Sequence, residues 1–124
     1  MFSPLKDVVT VMDMDGFVIN KKFYCKELGL LKVGDVVARS YFFDLGIRWS
    51  ELLGKDRRTC AYVRNHIHKL PFGVPRGVGA YELSALEEIV ATFYYRAKRN
   101  ERSIIAYKGG HFERDLLAKL DIPA

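Results

Sequence analysis

Val8-Val9-Thr10-Val11-Met12-Asp13-Met14-Asp15-Gly16 is the stretch that decides the fold. Five apolar or β-branched residues run together and stop at two acids and a glycine. A short run of this kind reads as a strand buried on both faces, the habit of a central strand. Asp15-Gly16 reads as the turn that ends it. In a strand, positions i and i+2 point to one side, about 6.5–7 Å apart. Asp13 and Asp15 therefore bring two carboxylates together at a strand tip. Like charges this close are tolerated when a cation lies between them, and oxygen ligands suit Mg²⁺ or Mn²⁺. The same residues also fit a solvated Asp-Gly turn, and both readings stand.

C-terminal to this strand, residues 17–19 and 23–28 read as a hairpin with Asn20 and Lys21 near its turn. Gly34-Asp35 marks a further turn, and residues 36–43 read as a third strand, so three strands, antiparallel to each other, open the domain. The pattern then changes to helices. Residues 50–53 fit one turn. Residues 56–66 fit a helix with Cys60, Val63 and Ile67 on one face. Residues 70–79 hold two prolines and three glycines and read as a loop. Ser84-Ala85-Leu86-Glu87 has the capping-box spacing, and Leu86, Ile89, Val90, Phe93 and Ala97 follow at helical intervals. Residues 103–107 read as a fourth strand, parallel to the first because a helix precedes it. Residues 111–120 read as a last helix. The expected fold is α/β with a mixed sheet, in the order β-β-β-α-α-β-α.

The chain of 124 residues has the size of one domain. Its 49% hydrophobic and 28% charged residues are ordinary globular values, which argues against disorder. Cys25 and Cys60 form no CxxC pair and no zinc spacing with histidine; one disulfide is conceivable, but the composition reads as that of a reducing compartment. The first residues lack a signal-peptide layout, and no apolar run approaches the roughly 20 residues of a membrane span. The expectation is a soluble intracellular protein, cytoplasmic or nuclear. The net charge of +5 favours anionic partners, nucleic acid before an acidic membrane surface.

In this order of elements the chain resembles a ribonuclease H-like domain, and in particular the DEDD-type 3′–5′ exonuclease superfamily. In that family an Asp-x-Glu motif ends the first strand; here Asp13-Met14-Asp15 stands there, with Asp15 in place of the glutamate. The family's second motif, His-Asn-x-x-Phe-Asp followed by a leucine-bearing helix, has its counterpart in Gly110-His111-Phe112-Glu113-Arg114-Asp115-Leu116-Leu117. Its aspartate falls on Phe112 without a gap and on Glu113 after a one-residue shift, and Asp115 lies deeper in the helix. Asn65-His66-Ile67-His68-Lys69-Leu70 resembles the family's short histidine-containing stretch. The third motif would lie beyond Ala124.

The resemblance implies one exonuclease-like domain over residues 1–124 that lacks its C-terminal helix. It also implies a hydrolase using Mg²⁺ or Mn²⁺, with Asp13, Asp15, Glu113 and Asp115 as catalytic residues and Asp13 and Asp15 as metal ligands. In two-metal logic one ion activates water and the other stabilises the leaving oxygen of a phosphodiester. His66, His68 or His111 are candidates for base or phosphate contacts. The alternative is a pseudo-nuclease that keeps the fold and only binds nucleic acid (RNA or DNA) or protein. A homodimer or a protein partner is compatible with either.

Arg57, Arg58, Arg64 and Lys69 cluster around the first helix, and Arg96, Lys98, Arg99 and Arg102 around the end of the second. Either set reads as a phosphate track or as a solvated helix face. Lys108-Gly109-Gly110-His111 is a glycine-rich turn between strand and helix where backbone N–H groups can meet an anion, so Lys108 and His111 join the candidate nucleic-acid contacts. Gly77-Val78-Gly79 is a second such turn. Tyr41, Phe42, Phe43, Tyr94, Tyr95 and Tyr107 read as core more than as base-stacking platforms. Cys60 has no activating partner in the sequence, which disfavours a cysteine nucleophile.

Overall fold

The computed structural model describes residues 7–75, 79–98, 103–108 and 110–124. Residues 1–6, 76–78, 99–102 and 109 lie outside the described residues, and with them the expectations placed on Gly77, Arg99, Arg102 and Gly109. The elements are β1 (Val8–Ile19), β2 (Lys22–Lys32), β3 (Arg39–Asp44), α1 (Gly54–His66), β4 (Tyr81–Glu82), α2 (Leu86–Ala97), β5 (Ile104–Lys108) and α3 (His111–Lys119). Short 3-10 turns cover Trp49–Glu51 and Leu83–Ala85. The fold is α/β with a mixed five-stranded sheet, in the order β4-β3-β2-β1-β5. As expected, β5 runs parallel to β1, with Asp13 in register with Lys108. The sequence reading missed β4, which pairs parallel with β3, so the strand order differs from the one expected. Two exposed residues are too few for any alternation to show.

The largest correction concerns β1. It does not turn at residues 13–16 but continues to Ile19. Asn20 (φ 49°) and Lys21 (φ 65°) then form a two-residue turn with both central residues left-handed, which joins β1 to an antiparallel β2. The alternation of burial changes phase on the way. Thr10, Met12 and Met14 are buried, and then Phe17 and Ile19. A period-2 pattern can shift phase only where one residue departs from regular pleating, and Gly16 sits at that shift. A Cβ there would meet the Tyr24 carbonyl oxygen at 2.0 Å. The glycine thus marks a close backbone approach instead of a strand end. The strand is also not buried throughout on both faces: Val8 to Thr10 are, but Val11 is exposed.

The chain divides into two compact units. One comprises Met1–Met14, Gly29–Ser40 and Ala85–Ala124. Its core holds Val9, Thr10, Met12, Leu30, Val90, Tyr94, Ala97, Ile105 and Leu117. α2 presents Val90, Tyr94 and Ala97 inward at i, i+4 and i+7. The expected Ser84 cap is absent: Ser84 lies inside the 3-10 turn, and α2 starts after Ala85 with no side-chain cap. A residue already in a helical turn lacks the extended backbone that lets its hydroxyl reach forward. The Tyr94 hydroxyl donates to the Ser103 carbonyl, and burial, helped by Tyr95, pushes its ionisation up. Ile105 N–H donates to the Pro123 carbonyl (3.0 Å), giving β5 a backbone partner besides β1. The expected third strand began at residue 36, but β3 starts at Arg39, and Val36 and Val37 are exposed.

The other unit comprises Asp15–Leu28 and Tyr41–Ser84. Its core packs Phe17, Ile19, Leu45, Leu52, Cys60 and Phe72, with Trp49 and Val63 against them. α1 docks through Cys60 and Val63 as expected, but Ile67 lies past the helix end and is exposed. Both cysteines are buried thiols, and that of Cys25 donates to the Glu27 carbonyl (3.3 Å). Burial, and secondarily Asp56, push the Cys60 thiol up, which keeps it protonated and a poor nucleophile. Among the described residues no helix is long and apolar enough to cross a membrane.

Candidate nucleic-acid interface

α1 carries four cations and one acid over thirteen residues. Its sequence decides which of them face solvent. Cys60 and Val63 point into the core, and beside them Lys55, Arg58, Thr59, Tyr62 and His66, at i, i+3, i+4, i+7 and i+11, form one continuous outer stripe. All five are exposed. Tyr62 is 60% exposed, and its ring lies 4.9 Å from that of His66 at an angle of 40°. The single acid, Asp56, is half-buried and accepts from the Asn20 N–H at 3.4 Å. Among the described residues Lys55, Arg58 and Lys69 make no ion pair.

The remaining arginines of α1 are partly committed. Arg57 donates to the carbonyls of Ser50 (3.3 Å) and Leu52 (3.2 Å), which ties the 3-10 turn to the helix. The Arg64 guanidinium lies 4.7 Å from the centre of the Trp49 ring, and its Nε contacts the Asn65 Oδ1 at 3.3 Å. These contacts hold both guanidinium groups in position. Lys69 is exposed and left-handed (φ 58°) just after α1. A cleft of about 370 Å³ opens between the hairpin tip and the start of α1, lined by Val18, Asn20, Lys21, Leu53, Lys55, Asp56 and Thr59.

His68 is a different case from the candidate bases. Its Nδ1 accepts from the Leu70 N–H (2.9 Å), so its Nε2 carries the proton and donates to the Gly16 carbonyl (2.8 Å). Its ring meets Phe17 edge-on at 4.8 Å. Both nitrogens serve the fold. His66 is exposed beside Tyr62.

The carboxylates are distributed as follows. Asp13 and Asp15 are half-buried, on the face of β1 opposite Met12 and Met14. Asp13 belongs to one unit and Asp15 to the other. Glu113 is buried on the inner side of α3, at 3% exposure. Asp115 is exposed and pairs with Arg114 at 3.5 Å. Lys108 is exposed at the end of β5, and His111 is exposed against Phe112, with ring centres 4.1 Å apart. These two belong to the unit that lacks α1. Among the described residues no three His, Cys, Asp or Glu side chains gather closely enough to hold a metal ion.

Two residues that the sequence reading passed over stand out. Tyr62 could have been found from its spacing, four residues after Arg58 and seven after Lys55. Lys26 could not: it is 2% exposed, and its ammonium donates to the carbonyls of Phe43 (2.9 Å) and Gly73 (3.0 Å). Burial lowers its ionisation, against a weaker opposing pull from Asp44. No protein family, curated protein or solved structure matches the chain.

Proposed function

We propose that this protein binds nucleic acid through the outer face of α1. The carrying observation is that Lys55 and Arg58 stand exposed on one helix face and make no ion pair among the described residues, with Arg57, Arg64 and Lys69 adding charge around it. The unit that contains α1 has ten Lys and Arg against six Asp and Glu, so the excess positive charge of the chain is concentrated there. Such an excess attracts a polyanion and releases its counterions on binding. The double variant K55Q/R58Q, which touches no buried group, is expected to bind a fluorescein-labelled oligonucleotide about tenfold more weakly than the parent. Fluorescence anisotropy measures this, and an unchanged affinity would contradict the proposal.

A second reading is favoured by one observation. Asp13 and Asp15 occupy alternate positions on the half-buried face of β1, as the ribonuclease H-like resemblance requires of two metal-binding carboxylates. On that reading the protein is a Mg²⁺- or Mn²⁺-dependent 3′–5′ exonuclease of ribonuclease H-like fold, with Glu113 or Asp115 as further acids. The parallel β1–β5 pairing and the helix that follows β5 support it. It requires shortening of a labelled strand on addition of Mn²⁺, abolished in Asp13→Asn. Absence of cleavage together with absence of Mn²⁺ uptake in calorimetry removes it and leaves the binding role.

A further inference from the structure

We infer that the α1 face takes single-stranded nucleic acid in preference to duplex, with one unstacked base lying on the Tyr62 ring. The inference rests on the nucleic-acid reading above and specifies its substrate. A phosphate track needs cations alone. This face also carries a large aromatic ring, 60% exposed, supported from the next turn by the His66 ring at 4.9 Å. In a duplex each base is already stacked on its neighbours and offers only its edges, whereas an unpaired base has a π-face to give. An aromatic ring placed among cations is therefore matched by a single strand.

The spacing along α1 sets how the strand lies. Arg58 is one turn before Tyr62, and Lys55 is two turns before it, about 10 Å along the axis. A base on Tyr62 brings the adjoining phosphates over Arg58 and Lys55. The face then leads to the cleft at the hairpin tip, which shares Lys55 and Thr59 with it and is lined besides by Asn20, Lys21, the acid Asp56 and the apolar Val18 and Leu53. Lys21 holds the second central position of the hairpin turn at φ 65°, where glycine is easiest. The residue there instead supplies a cation to the cleft wall, where it counters the charge of Asp56 and extends the positive track past Lys55.

The test compares one fluorescein-labelled sequence as a single strand and as a duplex, by anisotropy at fixed salt. The proteins are the parent, Tyr62→Ala, Tyr62→Phe and Arg58→Gln. Tyr62 is on the surface, and circular dichroism of each variant confirms that it is folded. The expected results are tighter binding of the single strand, a loss of about tenfold in Tyr62→Ala, and retention in Tyr62→Phe, which keeps the ring. The salt dependence of Tyr62→Ala should equal that of the parent, while that of Arg58→Gln should be shallower. Equal binding of duplex and single strand, or no effect of Tyr62→Ala while Arg58→Gln weakens binding, overturns this inference and leaves the phosphate reading standing. No binding of either form by the parent overturns both.

Discussion

Gly16→Ala is expected to destabilise the fold by about 3 kcal/mol, with a lower denaturant midpoint in urea. The added Cβ would lie 2.0 Å from the Tyr24 carbonyl oxygen, 2.9 Å from its carbon and 3.0 Å from the Cys25 Cα. All three are backbone atoms, so no side-chain rotation relieves the clash, and β1 and β2 must part. The movement also draws the Gly16 carbonyl away from the His68 Nε2 that donates to it. Gly29→Ala is the internal control. The Cβ there meets nothing nearer than the Asp13 carbonyl oxygen at 3.9 Å. That is ordinary contact, and the expected change is within about 1 kcal/mol, with the lower backbone entropy of alanine acting in its favour. Equal costs at the two glycines would contradict the close approach at Gly16.

Lys26→Met should cost about 2–4 kcal/mol at neutral pH. Two carbonyls, of Phe43 and Gly73, lose their donor in the protein interior, at about 1–3 kcal/mol each. Relief from burying a charge offsets part of that. The pH dependence distinguishes the two contributions. Burial lowers the Lys26 ionisation in the folded state below its ordinary 10.5. In the alkaline window between the folded and the unfolded value, the unfolded chain binds more protons, so stability rises with pH. The Lys26 contribution is therefore complete above 10.5 and declines as pH falls through the folded value. The difference in unfolding free energy between parent and Lys26→Met cancels the other titrating groups, and it should widen as pH approaches 10.5. A difference that stays flat over this range would mean that Lys26 is not desolvated.

How much of this was legible in the sequence depends on the range of the forces involved. The faces of α1 and α2 were, because Cys60 and Val63, or Val90 and Ala97, recur at the helical period whatever packs against them. The parallel pairing of β5 with β1 followed from the helix before it. Asp15-Gly16 misled because the same dipeptide serves a turn or a close approach, and the backbone of Tyr24 decides between them. Lys26 was invisible for a like reason: its partners are carbonyls 17 and 47 residues away, which any residue type supplies. At the candidate interface, the clustering of Arg57, Arg58 and Arg64 was plain. Their division into one exposed arginine, one holding the carbonyls of Ser50 and Leu52, and one lying on Trp49 required the tertiary fold. The sequence grouped these arginines with Lys108 and His111, which belong to the other compact unit.

The central claim is that the α1 face meets a polyanion, and the most direct measurement is the affinity of the parent protein for a labelled oligonucleotide across a salt series. Neutralising phosphates releases counterions, so the logarithm of the binding constant should fall linearly with the logarithm of salt concentration. A slope of about −2 is expected for roughly three phosphate contacts on a single strand. K55Q/R58Q should flatten that slope. A binding constant independent of salt, or a slope that is the same with and without Lys55 and Arg58, would contradict the account.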